Sequence, residues 1–247
     1  MSKPPAKATI GFLHPGTVAT CFADSREGLM FSDAFGVRRL MHSFGQIGKR
    51  CGSGGIPDGR NALAQAVLDS DIEWLFMVDA DMGFRPDAME RLIEAADPVL
   101  RPVMGGLAFA HKQDGQSPSG VSQWRPCPTL YDFHELDDRV GFVPRFDYKR
   151  NSVEKVAATG AAIVLIHRSA LQAVADKHGP IWFDPIRYKT AHFSEDLSFC
   201  VRLAACDIPM YVHTGVRTSH DKGGVIHDED SYDAWRAGQP DGGIPAA

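Results

Sequence analysis

Residues 72–84 read IEWLFMVDADMGF, an apolar run that ends in two aspartates. Strands buried on both faces have this near-continuous apolar composition, which is typical of parallel sheets. Asp79 and Asp81 directly follow the run, so we expect both carboxylates at the rim of a sheet. The stretch therefore predicts a parallel sheet with paired acids at one strand end.

Predicted strands and helices alternate on both sides of this run. Short apolar runs predict further strands at residues 8–13, 103–110, 161–167 and 209–213. Helical spacing of apolar residues predicts helices at 60–69, 85–97, 168–178 and 194–206. This alternation indicates an α/β fold with a mostly parallel, Rossmann-like sheet flanked by helices. Ligands of such sheets bind beyond the carboxyl ends of the strands.

The chain divides into a body and a polar C-terminal segment. Residues 1–220 are expected to form a single domain, with an irregular middle region at 111–158 that carries short strands at 128–133 and 141–148. Residues 221–247 are rich in glycine and hold six acidic residues against two basic ones. We expect this tail to be a lid, a partner-binding segment or disordered. The tail accounts for most of the net charge of −5.

Composition excludes several classes of protein. The acid excess, with no basic run to offset it, argues against a nucleic-acid partner. Five scattered cysteines without a C-x-x-C motif suit a reducing compartment. No secretory signal and no apolar stretch long enough to span a membrane are visible. We expect a soluble cytoplasmic protein.

The Asp79-Ala80-Asp81 motif has two interpretations. Two carboxylates carried to a sheet rim by a buried strand need a partner. Mn²⁺ or Mg²⁺ is the natural one, because these ions prefer oxygen ligands and keep coordination positions open for phosphates. Alternatively, the two aspartates cap a turn at residues 82–84.

Ser194-Glu195-Asp196 opens a predicted amphipathic helix. Serine is a favoured N-cap, and acids in the first turn complement the helix dipole, so a purely structural role is one interpretation. The same position keeps a carboxylate ionised at neutral pH, which a general base requires. The helix start is therefore a candidate catalytic position.

Four further positions are candidates for ligand binding. His220, at the end of a predicted strand region, is either a metal ligand or a structural hydrogen-bonding residue. Lys222 pairs with phosphate or is a solvated loop lysine. Trp182 stacks on a sugar or belongs to the core. Thr159-Gly160 allows close backbone approach to a ligand or makes a tight turn. The glycine-rich loop at 51–59 matches no phosphate-binding motif and is expected to be a mobile connection.

The order and spacing of these features resemble those of GT-A fold glycosyltransferases that use nucleotide sugars. The nearest group is family 2-like and includes many bacteriophage-encoded members. The matching stretches are RNALAQAVLDSDIEWLFMVDADMGFRPDAMERL (60–92), TGAAIVLIHRSAL (159–171), WFDP (182–185), HFSEDLSFCVRLAACDIPMYV (192–212) and the final Ser219-His220. Residues 111–158 match nothing in this family.

The resemblance implies roles for the acidic residues and the histidine. Asp81 should bind the divalent cation directly, and His220 should complete the metal site. Asp79 should hold the ribose or a metal-bound water. Asp196 should be the base that deprotonates the acceptor hydroxyl, with Glu195 positioning the acceptor.

The resemblance also implies where the donor binds. Thr159-Gly160 should approach the donor sugar, and Arg60 should lie near the base or the diphosphate. The loop after the first strand should flank the nucleobase; it consists of His14, Pro15, Gly16 and Thr17. This loop carries no recognisable acid for a uracil, so the identity of the base stays open.

The function implied is metal-dependent transfer of a sugar from a nucleoside-diphosphate sugar to an acceptor hydroxyl on a protein, such as a phage virion protein, or on a glycan. Inversion at the anomeric carbon is favoured over retention, and host cytoplasm is expected if the protein is phage-encoded. One alternative is a nucleotidyltransferase that makes sugar nucleotides. The stretch GFLHPGTVAT at 11–20 lacks the basic phosphate loop that such an enzyme would need. The other alternative is a non-catalytic carbohydrate- or protein-binding module.

Overall fold

The computed structural model describes residues 6–40, 45–116, 122–137 and 139–239. The helices are α1 (Thr20–Phe35), α2 (Gly55–Leu68), α3 (Ala88–Ala95), α4 (Arg168–His178), α5 (Glu195–Ala205) and α6 (Glu229–Ala237). The strands are β1 (Ala8–His14), β2 (Gln46–Arg50), β3 (Trp74–Val78), β4 (Met82–Phe84), β5 (Val103–Leu107), β6 (Phe109–Gln116), β7 (Ser122–Pro128), β8 (Tyr131–Leu136), β9 (Arg139–Pro144), β10 (Val153–Val156), β11 (Ile163–His167), β12 (Ile186–Tyr188), β13 (Ala191–Phe193), β14 (Met210–Asp221) and β15 (Ile226–His227).

One central sheet organises the molecule, with the strand order β10-β14-β5-β11-β3-β1-β2. Strands β2, β1, β3, β5 and β14 run in one direction, and β11 and β10 run against them. Two further strands, β4 and β15, pair with the far end of β14. The predicted mostly parallel α/β sheet is thus confirmed.

Strand β3 explains why the apolar run is continuous. Its alternate side chains enter two different cores, Leu75 and Met77 on one face and Phe76 and Val78 on the other. The first core contains residues of α2, α4 and α5, and the second contains residues of α1 and α3. Because helices cover both faces, a polar side chain within the strand would be buried without a partner.

Helix α2 begins earlier than the sequence pattern indicates. Residues 55–59, expected to belong to a mobile connection, form the first turn of this helix. Gly55 has a φ of +70°, a left-handed conformation that glycine adopts without steric cost. The early start brings Arg60 into the helix rather than to its beginning.

The last strand of the sheet, β14, is more than twice as long as the predicted 209–213. Its pairing with β5 shifts register between His213 and Arg217, and the strand then continues past β5 to pair with β4 and β15. Polar residues and Gly215 interrupt the apolar pattern, which hid this extension. The extra length carries His220 to the edge of the sheet where β3 ends.

The two regions without a clear sequence pattern have regular structure. Residues 111–158 include the hairpins β6–β7 and β8–β9, and β10 joins the central sheet. The tail forms β15 and α6, where Tyr232 is buried and its hydroxyl donates to the Phe146 carbonyl at 2.7 Å. A 2.7 Å ion pair between Arg217 and the buried Glu229 also holds α6. Residues 240–247 of the tail lie outside the described residues.

Hydropathy adds one finding about location. Within the described ranges, every helix is too short or too polar to cross a bilayer.

Candidate active site

Strand pairing brings Asp81 next to His220. The chain turns after β3, where the Met82 amide donates to the Asp79 carbonyl at 3.1 Å, and enters β4. Strand β4 lies antiparallel to β14, with His220 opposite Met82. The Asp221 amide donates to the Asp81 carbonyl at 2.9 Å. As a result, the Nε2 atom of His220 lies 3.3 Å from Oδ2 of Asp81.

The hydrogen bonding of His220 leaves one nitrogen available. Its Nδ1 lies 2.9 Å from the Phe109 carbonyl, which can only accept, so Nδ1 carries the proton. Nε2 of His220 and Oδ1 of Asp81 are both buried and have no hydrogen-bond partner among the described residues. Buried acceptors without partners are costly, and these two are the atom types that bind divalent cations.

A lysine lies on the other side of Asp81. The Nζ atom of Lys222 is 2.7 Å from Oδ2 of Asp81. Burial alone would raise the pKa of Asp81, but His220, when its Nε2 also carries a proton, and the ammonium of Lys222 outweigh burial and lower that pKa to about 2. Asp81 is therefore an ionised carboxylate at neutral pH, as a metal ligand must be.

The donor set fits Mn²⁺ or Mg²⁺ held by few protein ligands. The part of the chain that the structure describes has no group of three or more His, Cys, Asp or Glu residues placed to hold a metal. Asp81 and His220 offer one oxygen and one nitrogen and leave most of the coordination shell to water and phosphate, which is how Mg²⁺ binds in nucleotide enzymes. Asp79, also expected at the metal, points instead to Arg60, with 2.8 Å between Oδ1 and Nη2.

Arg60 is the centre of a second charged cluster. Its side chain is only 3 % exposed, and its guanidinium contacts Asp79, Glu195 at 3.4 Å and Asp196. Burial alone would lower the pKa of Arg60, but the three carboxylates outweigh burial and raise it above the usual value. Arg60 also lines the cleft, and its expected place near the base or the diphosphate of a donor stays a prediction.

Asp196 stands at the start of α5 and faces the cleft. Burial raises the pKa of this carboxyl, and the charges of Asp79 and Glu195 raise it further, while Arg60 opposes them. Ser194 occupies the N-cap position, but its side chain makes no capping hydrogen bond. A partly exposed carboxylate with a raised pKa, oriented by an arginine, is suited to accept a proton.

A cleft in two adjoining halves connects the clusters. One half, of about 460 Å³, lies between the Asp79–Asp81 turn and the loop after β1. Its lining includes His14, Pro15 and Thr17; Gly16, in the same loop, does not line it.

The other half, of about 350 Å³, includes Gly160, Glu195, Asp196 and His220. Lys222 and Asp79 line both halves. The two clusters therefore open into adjoining halves that meet at Asp79 and Lys222.

Two of the expected donor-binding residues lie away from the cleft. Trp182 is 1 % exposed, and its indole N–H donates to the Leu171 carbonyl at 2.8 Å, so the prediction that it stacks on a sugar is wrong. Thr159 is buried, with its hydroxyl 3.5 Å from that of Thr129. Gly160 does line the cleft, and a Cβ atom there would lie 3.6 Å from Oδ2 of Asp196.

Several cleft residues had no signal in the sequence. They come from the hairpins of the middle region, and they are Ala110, His111, Lys112, Thr129 and Tyr131. No motif marks them, because strand pairing rather than local spacing places them opposite α5.

Replacing Arg60 by methionine should destabilise the fold. The variant leaves Asp79, Glu195 and Asp196 facing one another without a cation, and removing one partner of a buried ion pair costs about 3–5 kcal/mol. Urea unfolding should show a correspondingly lower midpoint. The double variant R60M/D196N should recover part of the loss because it removes one uncompensated charge. An R60M protein as stable as the wild type would contradict this role.

Comparisons with known proteins agree on the fold. No protein-family model and no curated protein sequence matches the chain. The chain is similar in structure to A197 from STIV, with a TM-score of 0.55 and 13% identity over 91% of each chain. It is also similar to GalNAc-T7 in a crystal structure with UDP, GalNAc and Mn²⁺, with a TM-score of 0.55 and 10% identity. That match covers 88% of this chain and 44% of GalNAc-T7.

These similarities define the class of fold. The chain has the GT-A fold, a single α/β domain with a mostly parallel central sheet, as the sequence predicted. At such low identities the likeness extends to the fold and no further, because one fold supports many activities. The function must be argued from the cleft.

Proposed function

We propose that the chain is a metal-dependent glycosyltransferase that moves a sugar from a nucleoside-diphosphate sugar to an acceptor hydroxyl. The observation that carries this proposal is the division of labour within one cleft. Asp81 lines one half of the cleft, and Asp196, with a raised pKa, lines the other. His220 lines the half with Asp196 and lies 3.3 Å from Asp81, and Nε2 of His220 and Oδ1 of Asp81 are both unpartnered. Diphosphate departure and proton removal need a cation site and a base that open into adjoining space.

Asp81 and His220 would hold the cation. When bound, Mn²⁺ or Mg²⁺ would act as a Lewis acid that stabilises the charge on the leaving diphosphate. The tautomer of His220 is fixed by the Phe109 carbonyl, which keeps the Nε2 lone pair directed to the site. Lys222, beside Asp81, would pair with a donor phosphate as a point charge.

Asp196 would act as the general base. Its carboxylate takes the proton from the acceptor hydroxyl, and the acceptor oxygen forms a bond to the anomeric carbon. The bond from that carbon to the diphosphate oxygen breaks, and its electron pair leaves with the nucleoside diphosphate. Attack from the side opposite the leaving group inverts the anomeric centre. Glu195, partly exposed beside Asp196, would position the acceptor.

The donor would occupy the half of the cleft beside the first loop. His14, Pro15 and Thr17 line that half and would flank the nucleobase, while Asp79 would hold the ribose. Gly160 lines the cleft beside Asp196 without a side chain, which allows close approach of a ligand, and the donor sugar would lie there. That a protein with this fold crystallises with UDP and Mn²⁺ makes these two ligands the first to test.

A thermal-shift panel of nucleoside diphosphates and nucleotide sugars, with and without Mn²⁺, tests the proposal. At a hundred times its dissociation constant, a ligand stabilises the folded state by about 2.7 kcal/mol. For a chain of this size, that raises Tm by about 5–10 °C. We expect at least one nucleotide to do so only when Mn²⁺ is present. A panel in which no nucleotide shifts Tm would overturn the proposal.

A further inference from the structure

An exposed aromatic ring lies at the rim of the proposed catalytic half of the cleft. Trp124 on β7 is 49% exposed, whereas Trp74 and Trp182 are buried. Its indole stacks on the ring of His111, with centroids 4.2 Å apart and planes 15° from parallel. His111 itself lines the cleft beside Glu195 and Asp196. The indole therefore packs directly on a residue that lines the same half of the cleft as the proposed base.

Strand pairing sets this arrangement. In the β6–β7 hairpin, His111 lies opposite Pro126 and Gln113 lies opposite Trp124. His111 and Trp124 are thus diagonal neighbours on one face of the hairpin, close enough for large rings to touch. The stack follows from the register and needs no bound ligand to form.

The other side of the stack is anchored to the metal-binding strand. The Nδ1 atom of His111 faces Nε2 of His227, and the two rings lie 4.7 Å apart. His227 is buried on β15, directly opposite His220 on β14. The indole is therefore held in place relative to Asp81 and His220, as a recognition surface must be.

The surroundings of the indole indicate what it binds. An exposed aromatic face offers apolar contact, and Lys112 and Glu195, which line the cleft together with His111, offer hydrogen bonds and charge. A pyranose has the complementary surface, with a C–H face that covers an aromatic ring and hydroxyls around its edge. Charge-rich surroundings disfavour an apolar peptide side chain, because its burial would desolvate these groups.

We propose that Trp124 is a stacking platform for the acceptor and that the acceptor is a carbohydrate. The proposal rests on the proposed function, since it assigns the acceptor side of the same cleft. A sugar seated on the free face of the indole would extend from there into the half of the cleft that His111 and Asp196 line. Trp124 would determine acceptor specificity and leave donor binding unaffected.

Saturation-transfer difference NMR tests the platform with simple probes. The probes are the methyl glycosides of glucose, galactose, mannose, N-acetylglucosamine and N-acetylgalactosamine, each measured with and without UDP and Mn²⁺. We expect at least one glycoside to receive saturation concentrated on one C–H face. In Trp124→Ala, binding should weaken about five- to tenfold, the effect of losing one aromatic stack. Trp124→Phe should retain most of the signal.

Phe133→Ala is the matched control. Phe133 is 39% exposed on the neighbouring hairpin, but it packs against Phe142, which does not line the cleft, whereas Trp124 packs against His111, which does. Removing Phe133 should therefore leave glycoside binding unchanged. Equal saturation in Trp124→Ala and the wild type would overturn the platform, as would the absence of saturation for every probe. The thermal shift with nucleotides separates the two proposals. If a nucleotide still raises the Tm of Trp124→Ala in a Mn²⁺-dependent way, the proposed glycosyltransferase function is supported, whatever the result with the glycosides. If the protein binds glycosides through Trp124 but binds no nucleotide, Trp124 would still be a carbohydrate-binding residue, and the proposed glycosyltransferase function would be wrong.

Discussion

Replacing Asp196 by asparagine should abolish most sugar transfer and leave the protein folded. Asparagine keeps the shape of the side chain but cannot take the proton from the hydroxyl of the acceptor. General base catalysis contributes about 10²- to 10⁴-fold, so we expect kcat to fall by about 10³, or about 4 kcal/mol of barrier. Donor binding, measured by the thermal shift, should stay within a factor of about two because Asp196 does not hold the diphosphate.

The same substitution should stabilise the fold at neutral pH. A carboxyl whose pKa is raised in the folded state contributes stability below its unfolded pKa and loses it as pH rises through the folded pKa. The ionised Asp196 therefore costs stability at pH 7, and Asp196→Asn removes that cost. We expect Tm of the variant to equal or exceed that of the wild type at pH 7. The difference should shrink as the pH is lowered toward 4.

The pH profile of the wild type follows from the same shift. Because the base must be ionised, kcat/KM should fall as the pH drops through the raised pKa, at a higher pH than an ordinary aspartate would give. Asp176→Asn, which changes an exposed carboxylate on α4, serves as the control and should alter neither rate nor profile. Full activity in Asp196→Asn would exclude Asp196 as the base and would favour a retaining mechanism.

Replacing Asp81 by asparagine should remove metal-dependent nucleotide binding. Asp81 places a carboxylate oxygen 3.3 Å from Nε2 of His220, and even the outer partners of metal ligands are worth about 10- to 100-fold in affinity. We therefore expect the affinity for a nucleoside diphosphate in Mn²⁺ to fall by about 100-fold or more. Titration calorimetry with and without Mn²⁺ measures this directly.

The chain provides a matched control for Asp81. Asp71 ends another Asp-x-Asp motif, Asp69-Ser70-Asp71. Its side chain is exposed and pairs with Lys7 at the surface. Asp71→Asn should therefore leave nucleotide binding unchanged, since exposed ion pairs contribute little. Unchanged Mn²⁺-dependent binding in Asp81→Asn would show that the cation, if used, is held elsewhere.

The sequence predicted the parts of the fold that local patterns encode. The apolar run at 72–78 identified β3 because a strand covered on both faces tolerates no polar residue. Helix α4 matches its predicted bounds because Gly179-Pro180 ends it. Helix α1 was missed, since its buried residues are few and its outer face carries exposed phenylalanines.

The candidate site was predictable where a residue follows a buried strand or begins a helix. Asp81 and Asp196 are such residues, and both line the cleft. The relation of Arg60 to three carboxylates was not predictable, because it joins residues up to 136 positions apart. Trp182 misled because its flanking sequence does not reveal whether an indole faces the core or the cleft. His111 and Trp124 depend on hairpin register, which the irregular pattern of residues 111–158 does not define.

The release of a nucleoside diphosphate from nucleotide sugars tests the central claim most directly. Wild-type protein, Asp81→Asn and Asp196→Asn would each be incubated with a panel of nucleotide sugars and Mn²⁺, with the methyl glycosides as acceptors, and the products resolved by mass spectrometry. We predict that the wild type cleaves at least one donor and joins its sugar to a glycoside, and that both variants lose this activity. A wild-type protein that binds a nucleotide sugar but neither cleaves nor transfers it, with any acceptor or metal supplied, would contradict the account.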